Sequence, residues 1–486
     1  MTRRILIEAL GVPMALDLEG LTDAEATAVG DAWRDAAVTV RSGGDLHSGG
    51  GISADSSSRT RITSRTNTAD AAEPATIRVR EPGDAAEFAE VMERLSQRVT
   101  VEAITARRAD LWMLHAAGLA LPDGRVLVLV GPSGRGKTTA SRALGGALGY
   151  VSDETVAIDR DGRVWPYRKP LSIIETAGRP KAQRAPSTLG MAPLPGAPLR
   201  LAGIVLLDRR PDAGDTPVVQ AIDLGDALEE LVAQSSFLPL LDHPLRTMAA
   251  HVAAVGGVHR VRYREAGTLS AIVDRLVATP EERPGGRMPK RSEDVPSPSR
   301  RSNPDTPSWY RVDVLDQVTL DDPDRIALLQ VDERGEGTVR MLAGIAPTLW
   351  RAASGASRDH LVAACLAAHG APEGQDAGAL VDAAVADLAA AGLIAQRPGR
   401  WTIREDVAWT GALGRYVLLP LGGPDEPTAL EGSAALIWQA LAAGPAPTAD
   451  VTARVAELAG VDADLVRPDV EAFLADLERL GVLAAR

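Results

Sequence analysis

The segment GPSGRGKT, Gly131 to Thr138, constrains this chain more than any other, because it fits the pattern G-x-x-x-x-G-K-[ST] at every fixed position. The run GRVLVLV before it is largely apolar and is typical of a buried parallel strand. The run KTTASRALGGAL after it is rich in alanine and predicts a helix. A strand, a glycine loop and a helix in this order predict an α/β domain whose loop cradles phosphate groups.

Elementary chemistry assigns a part to each fixed residue of this loop. Glycines let the backbone turn so that successive N–H groups can point at phosphate oxygens. Lys137 can reach the outer phosphates, and the Thr138 hydroxyl can ligate Mg²⁺. The loop itself fits ATP and GTP equally, and we take the nucleotide as ATP with Mg²⁺. The residues predicted to contact it are Gly131, Ser133, Gly134, Arg135, Gly136, Lys137, Thr138 and Thr139.

A phosphate loop also needs a carboxylate for the metal, and the residues alone offer two choices. Asp208 ends the apolar run LAGIVLLD, whereas Asp153 and Glu154 follow the shorter run YVS. A carboxylate at the end of a neighbouring strand is typical of a metal ligand in such sites. Either acid could instead cap a turn. The longer apolar run slightly favours Asp208.

The chain has 486 residues, a length that predicts two to four domains. Changes in composition along the sequence indicate where these domains are separated. Residues 41–74 are dominated by Gly, Ser, Thr and Arg and predict a flexible loop, in which His47 has no second His or Cys nearby. Residues 279–308 are rich in Pro, Ser and charge and predict a disordered linker. We expect residues 1–101 to form an N-terminal lobe that completes a nucleotide-binding domain at 102–278.

The C-terminal part of the chain contains an internal repeat. LAGIAPTLW at 342–350 and LEGSAALIW at 430–438 share the pattern L-x-G-x-A-x-x-x-W. VADLAAAGLI at 385–394 resembles LADLERLGVL at 474–483 in the same way. Two matched segments at a nearly constant offset predict two copies of one small domain.

Each copy reads as extended segments followed by helices, which predicts a winged-helix-like unit of strands and then three helices. We place the copies at 309–399 and 400–486. Trp350 and Trp438 lie on the first helix of each copy, and their spacing predicts that both are core residues.

The region from Ala103 to Leu276 resembles the catalytic domain of HPr kinase/phosphorylase and its divergent relatives. LHAAGLAL resembles the family's segment before the phosphate loop, and YVSDETV resembles its V-A-D-D-x-V segment. YRKPLSII resembles a Lys-Pro-Leu-Ser stretch of the divergent relatives, some of which act in peptide natural-product pathways. The loop GPSGRGKTT completes the likeness.

The resemblance implies roles for particular residues. Asp153 takes the place of the catalytic base, Glu154 that of the metal ligand beside it, and His115 that of the active-site histidine. With Lys137, Asp153 and His115 form the implied catalytic set, and Thr138, Asp153 and Glu154 the implied metal set. The family has Asp where this chain has Glu154, and its later glycine-rich signature with a further metal-binding Glu is not matched; Glu175 stands in no clear match.

The two C-terminal copies resemble PqqD-like domains, also called RiPP recognition elements because they serve ribosomally synthesised, modified peptides. The L-x-G-x-A-x-x-x-W start and the ending DVEAFLADLERLGVL carry this resemblance, more closely in the second copy. It implies that at least one copy binds a precursor's leader peptide as an added strand. Winged-helix scaffolds and dimerisation modules are the alternatives.

Composition excludes several other classes. A net charge of −13 argues against nucleic acid as a partner. The single cysteine, Cys365, excludes an internal disulfide and a multi-cysteine zinc site, and we expect it to be a small buried residue. Apolar runs are too short for a membrane span, and the first residues are a poor signal peptide, so we expect a cytoplasmic protein.

Together these features predict an α/β P-loop domain of the HPr kinase C-terminal type followed by two small PqqD-like domains. The predicted function is ATP-dependent phosphorylation of Ser or Thr in a precursor peptide whose leader the PqqD-like domains bind. The alternative is a non-catalytic, nucleotide-responsive chaperone that delivers the peptide to a separate modifying enzyme. A kinase-like regulator of another protein is a third possibility.

Overall fold

A computed structural model describes residues 3–38, 74–132, 134–173, 181–277, 307–321, 324–412, 414–421 and 427–485. The predicted flexible loop lies outside the described residues except for Pro74. The predicted linker lies outside them except for Pro307 and Ser308, and Ser308 begins a strand. Ser133 and Glu175 also lie outside the described residues.

The chain divides into two compact units. The first comprises residues 1–290, 315–318 and 327–340, and the second comprises residues 291–314, 319–326 and 341–486. In the part of the chain that the structure describes, no helix is both long and apolar enough to cross a membrane.

The N-terminal region of the first unit is a small sheet covered by two helices. A two-residue turn, Leu10 and Gly11, both with positive φ, joins the first two strands into a hairpin. Thr22 caps the first helix in a reciprocal pair with Glu25. The elements are β1 (Arg4–Ala9), β2 (Val12–Asp17), α1 (Asp23–Trp33), β3 (Ala75–Arg78) and α2 (Ala85–Ala106).

Helix α2 crosses the boundary that we predicted between 101 and 102. Its buried side chains and those of β1 to β3 share one hydrophobic core with Leu111, Met113, Ala157 and Tyr167. The N-terminal region is therefore packed into the same core as residues that follow the boundary, and it is not a separable domain.

The rest of the first unit is built around a six-stranded sheet of order β13-β15-β12-β6-β5-β7. Its strands and the helices among them are β4 (Trp112–Leu114), β5 (Ala116–Ala120), β6 (Arg125–Val130), α3 (Lys137–Leu144), β7 (Gly149–Ser152), β8 (Val156–Ile158), β9 (Val164–Trp165), β10 (Leu171–Ile173), β11 (Ala182–Arg184), β12 (Arg200–Arg209), β13 (Val218–Ile222), α4 (Leu224–Ala233), β14 (Ser235–Ser236), α5 (Pro244–Ala254), β15 (Val258–Tyr263) and α6 (Val273–Leu276). Short 3₁₀ helices lie at Pro186–Leu189, Leu238–Leu240 and Ala266–Ile272.

The centre of this sheet is parallel, as the sequence predicted for the strand before the glycine loop. Strand β12 runs parallel to both β6 and β15, while β5 is antiparallel to β6 and to β7. Helix α3 packs Ala140 and Leu144 into a core with apolar residues of β6 and β12. Two smaller sheets, β14-β4-β8-β9 and β10-β11, complete the unit.

The remaining residues form two consecutive sets of elements, whose order is the same except for one additional strand, β20, in the first set. The first set is β16 (Ser308–Arg311), β17 (Asp316–Asp321), β18 (Asp324–Val331), β19 (Gly337–Leu342), α7 (Ala346–Ala352), β20 (Ser354–Ala356), α8 (Arg358–His369), α9 (Ala377–Ala390) and β21 (Ile394–Arg397). The second is β22 (Trp401–Ile403), β23 (Val407–Ala412), β24 (Arg415–Pro420), β25 (Thr428–Leu430), α10 (Ser433–Ala442), α11 (Thr448–Ala459), α12 (Ala463–Arg479) and β26 (Leu483–Ala485).

Strand pairing follows the same plan in both sets. The first strand of each set pairs antiparallel with the last, β16 with β21 and β22 with β26. The three strands between form one sheet, β17-β18-β19 in the first set and β23-β24-β25 in the second. Strand β16 also pairs with β20, and Trp401 of β22 forms an isolated bridge with Ala446. The sequence repeat is therefore a repeat of structure, although residues 315–318 and 327–340 group with the first unit.

Several expectations about single residues are confirmed. Trp350 and Trp438 are 2% and 0% exposed, and Cys365 is buried on α8. Gly392 and Gly481 have φ of +67° and +69° just after α9 and α12, so glycine ends each of these helices before a short strand. The mixed α/β architecture with strands followed by helices at the C-terminus is also as predicted.

Candidate functional site

Sheet topology brings three sequence segments to one edge of the six-stranded sheet. Gly131 follows the carboxyl end of β6, and Asp153 follows the carboxyl end of β7, which runs in the same direction because β5 lies antiparallel between them. His115 directly precedes β5, whose first residue pairs with the last residue of β6. The edge that carries the glycine loop therefore also carries the predicted base and histidine.

The described residues of the glycine loop include two glycines with positive φ. Gly134 and Gly136 have φ of +80° and +94°, where a residue with a Cβ is strained. Gly136 is the N-cap of α3 and, having no side chain, leaves the first turn of that helix uncapped. Gly131 is buried, while Arg135, Thr138 and Thr139 are exposed. The open amides of the first turn favour an anion.

Lys137 turns back into the loop. Its side chain is buried, and Nζ donates to the carbonyl oxygens of Gly131 at 2.6 Å and Pro132 at 3.3 Å. Burial lowers the pKa of Lys137, and the charges of Asp153 and Glu154 oppose that shift. The Lys137 ammonium group is thus held by two neutral carbonyl groups, and Lys137 is the residue that the motif predicts to contact phosphate.

Asp153 makes contact with the loop. Its Oδ2 accepts a hydrogen bond from the Thr138 hydroxyl at 3.2 Å, and its Oδ1 accepts one from the Tyr150 hydroxyl at 2.8 Å. Tyr150 is fully buried, and burial together with the Asp153 charge raises the pKa of its phenol. Tyr150 therefore acts as a fixed donor that orients the carboxylate toward Thr138.

Glu154 points to a different partner. Its Oε2 lies 2.5 Å from Nζ of Lys169, whose side chain is only 8% exposed. Burial alone would lower the pKa of Lys169, but the charges of Asp153 and Glu154 outweigh it and raise that pKa. Glu154 is thus held in an ion pair with Lys169, whereas the hydrogen bonds of Asp153 are to Thr138 and Tyr150.

The His115 ring contacts the backbone of the segment that carries Asp153 and Glu154. Its Nδ1 lies 3.1 Å from the Glu154 carbonyl oxygen, which can only accept, so Nδ1 carries the proton and Nε2 is left as the acceptor of a neutral ring. Burial, and next to it the Lys137 charge, lowers the pKa of His115 against the pull of Glu154 and Asp153. A neutral imidazole with a free acceptor nitrogen is suited to accept a proton.

Asp208, which the apolar run slightly favoured as the metal carboxylate, has other partners. It lies near the end of β12 beside β6, as that pattern suggested, but its carboxylate pairs with Arg210 at 2.7 Å and Arg135 at 3.8 Å. The contact with Thr138 is made by Asp153, the residue that the family resemblance favoured. The apolar run correctly indicated the strand β12, but it could not indicate which side chains Asp208 contacts.

Oxygen donors at this edge suit a hard cation such as Mg²⁺. The Thr138 hydroxyl and the Asp153 carboxylate are the pair that would face it. Among the residues with described positions, no group of three or more His, Cys, Asp or Glu side chains could hold a metal by itself. A Mg²⁺ ion bound here would need further oxygens from phosphate groups or water.

Sequence reasoning gave no role to Lys169 or Tyr150, although both lie in the quoted segments YRKPLSII and YVSDETV. The only signal in the sequence was a lysine inside a mostly apolar stretch. Its burial next to Glu154 depends on how β7 and the segment before β10 are packed, which no local pattern encodes.

A second candidate site lies on the β23-β24-β25 sheet. Among the strands with described positions, β24 is central, and β23 and β25 each pair with it on one side only. Trp409 on β23 is 44% exposed, and its ring contacts those of Tyr416 and Trp438. An outer strand with a free backbone edge is the arrangement to which an extended peptide can add.

Comparison with known families finds a match in this part of the chain. The family model described as "Coenzyme PQQ synthesis protein D (PqqD)" matches residues 415–483, which run from β24 to β26. The C-terminal set of elements therefore contains a PqqD domain, a RiPP recognition element. No curated protein matches the chain.

Proposed function

We propose that this protein binds the leader of a ribosomally synthesised precursor peptide, binds ATP at the glycine loop, and phosphorylates a serine or threonine of that peptide. The observation that carries the proposal is the PqqD domain at 415–483, because domains of this kind serve the recognition of RiPP precursors. The first set of C-terminal elements, 309–399, is proposed as a second domain of the same kind on the strength of its matching element order.

Peptide binding is proposed at an outer strand of the β23-β24-β25 sheet. Free N–H and C=O groups along β23 or β25 can pair with an extended segment, and nearby side chains can select its sequence. Hydrogen–deuterium exchange of the full chain with its precursor peptide tests this site. We expect slower exchange of amides in one outer strand; unchanged exchange throughout 407–412 and 427–430 despite peptide binding would disprove strand addition.

Nucleotide binding is proposed at Gly131–Thr138. Lys137 and the uncapped first turn of α3 supply positive charge, and Thr138 with Asp153 supplies oxygen ligands for Mg²⁺. ATP with Mg²⁺ would supply the phosphoryl group to be transferred. The chain's own residues hold the phosphates, orient Asp153 through Tyr150, and offer His115 Nε2 or Asp153 as the acceptor of the hydroxyl proton.

Phosphotransfer is tested by incubating the full chain with Mg²⁺, ATP and the precursor peptide, and weighing the peptide by mass spectrometry. We expect a gain equal to one phosphate, located on Ser or Thr, and no gain with Asp153→Asn. An unmodified peptide, under conditions where both ATP and peptide bind, would reject the kinase form of the proposal.

The ion pair of Glu154 with Lys169 supports a second candidate function. A carboxylate already neutralised by lysine is a weaker metal ligand than the family's Asp, so nucleotide binding without phosphotransfer is physically reasonable. In this form the protein is a nucleotide-responsive chaperone that delivers the peptide to a separate modifying enzyme. It predicts peptide affinity that changes with ATP and a peptide whose mass stays constant.

A further inference from the structure

Lys169 is a buried charge to which the proposed phosphotransfer reaction assigns no role. Its side chain is 8% exposed, and its ammonium group lies 2.5 Å from Glu154. Burying the charge of a lysine costs free energy unless a carboxylate compensates it. Glu154 supplies that compensation for Lys169, and the question is what this buried ion pair does for the site. Lys137, the other buried lysine at this edge, is held by carbonyl oxygens and does not pair with either acid.

The segment that carries Lys169 is fixed from two sides. On one side, the Tyr167 amide donates to the Val151 carbonyl of β7 at 3.0 Å. On the other, the buried Tyr167 hydroxyl lies 2.9 Å from the Thr100 hydroxyl of α2, and the Leu10 amide donates to the Pro166 carbonyl at 3.2 Å.

Arg168 extends this attachment to the N-terminal region. It lies 3.9 Å from Asp35, and both side chains are largely buried. Contacts from Leu10, Asp35 and Thr100 thus hold residues 166–168 in place, immediately before Lys169. The N-terminal region, which we expected to complete the nucleotide-binding domain, supports the segment that carries Lys169 to Glu154.

We propose that Lys169 is a positioning residue that holds Glu154 in an ion pair and cancels its charge, leaving Asp153 as the carboxylate that serves Thr138. This inference rests on the proposed nucleotide site. Two uncompensated carboxylates beside a triphosphate would repel it, whereas one paired acid leaves a single negative group to meet the metal. The N-terminal region is then part of the nucleotide site through residues that never touch the nucleotide.

The test measures ATP affinity of the full chain by calorimetry, with and without MgCl₂. We expect Lys169→Met to weaken ATP binding about tenfold or more, because Glu154 is left charged beside the phosphates. The double variant Lys169→Met with Glu154→Gln should recover most of that loss. Lys181→Met, which removes a half-exposed lysine 4.0 Å from Glu93, is the matched control and should bind as the wild type does.

Magnesium dependence separates this role from direct metal binding by Glu154. If Lys169 neutralises Glu154, the double variant keeps the enhancement of ATP binding by Mg²⁺, whereas Asp153→Asn loses it. Loss of the enhancement in the double variant would overturn the proposal and make Glu154 a metal ligand. Wild-type affinity in Lys169→Met alone would overturn it equally.

Thermal unfolding distinguishes failure of this inference from failure of the nucleotide site. If the wild-type chain binds no ATP, the proposed nucleotide site and the role of Lys169 in it are both rejected. The ion pair is judged separately: we expect Lys169→Met to lower Tm more than the double variant does, and equal losses would show that the pair is not coupled. If Lys169→Met does not fold, Tyr167→Phe, which removes only the hydroxyl contact with Thr100, should weaken ATP binding severalfold, and unchanged affinity would refute support by α2.

Discussion

Gly136 shows how strictly the loop before α3 depends on single residues. Its φ of +94° lies in the left-handed region, and a Cβ there would come within 3.2 Å of the Tyr263 hydroxyl and 3.4 Å of Arg209. Strain and crowding act together at this position, whereas Gly146 would meet its nearest atom at an ordinary 3.9 Å.

Gly136→Ala should therefore cost about 1–2 kcal/mol of stability from backbone strain. We expect a larger effect on ATP binding, because the N-cap of α3 and the amides next to it must shift. Calorimetric titration with MgATP measures the effect. Gly146→Ala is the matched control, and equal ATP affinity in both variants would contradict the importance of the Gly136 conformation.

His251 connects stability to pH. It is 6% exposed on α5, its ring stacks on Trp112 with centroids 5.7 Å apart, and its Nε2 has no hydrogen-bond partner among the described residues. Burial lowers the pKa of His251, and the Asp159 charge opposes this only in part. The folded protein therefore resists protonation that the unfolded chain accepts.

Because the unfolded chain takes up this proton below about pH 6.5 and the folded protein does not, stability should be full above that pH and fall as the solution is acidified. His115, whose pKa is also lowered, adds to the same trend. Chemical unfolding at pH 7.5 and 5.5 checks it. His251→Phe, which keeps a flat ring, should lose less stability on acidification; the exposed His369→Gln should behave like the wild type, and identical slopes in all three would refute the explanation.

Individual residues also show where sequence reasoning stops. The fixed glycine at 136 could be read directly from the motif, and its φ of +94° lies in the region that favours glycine. Patterns of apolar residues could not distinguish Asp153 from Asp208, because both lie at the carboxyl ends of strands of one sheet. The structure adds the side-chain partners: Arg210 contacts Asp208, and Thr138 contacts Asp153.

The packing of the hairpin β23–β24 depends on a single glycine. Gly411 pairs directly with Tyr416, and a Cβ at Gly411 would overlap the Tyr416 ring. The ring also contacts Trp409, which in turn contacts the buried Trp438. Because residue 411 is glycine, the Tyr416 ring has room to pack beside it and to contact Trp409. Trp409 in turn connects the hairpin to α10 through Trp438.

Gly411→Ala should displace the Tyr416 ring and destabilise the C-terminal domain by about 1–3 kcal/mol, as overpacking does elsewhere. It should also weaken peptide binding if β23 is the strand to which the peptide adds. Thermal unfolding and peptide titration of the full chain measure both effects. Ala412→Ser, at the next exposed position, is the control, and a Gly411→Ala protein as stable as this control would contradict the packing argument.

Elements with a strong local pattern were predictable from the sequence. The strand before the glycine loop and the helix after it, α3, both lie within the segments that the pattern indicated. Short strands such as β8 to β11 were not anticipated, because two or three buried residues carry no periodicity of their own. Their conformation is fixed by neighbouring strands and by the core.

The separate cores of the chain lead to a prediction for the whole molecule. The core around β6, β12 and α3 and the core around Trp438 and α12 share no residues. Lys137→Ala should therefore abolish ATP binding and leave leader-peptide affinity unchanged, because Lys137 contacts the glycine loop and belongs to neither core. Parallel titrations with ATP and with the peptide check this; loss of peptide binding would show that the two functions are not independent.

For the whole molecule, the sequence pattern indicated the order of the structural regions more clearly than the residues at which they begin and end. The repeat in 342–350 and 430–438 correctly indicated two structurally matched sets of elements. Helix α2, Ala85–Ala106, continues past residue 101 and packs into a core shared with later strands, and such long-range packing leaves no mark in local composition.

Cys365 makes the protein convenient for chemical labelling. It is the only cysteine of the chain, it is 6% exposed, and burial raises the pKa of its thiol, so the reactive thiolate is scarce. A cysteine introduced at an exposed position such as Leu465, which is 71% exposed on α12, will react with a maleimide dye far faster. A fluorophore can thus be attached at one chosen point without first removing a native thiol.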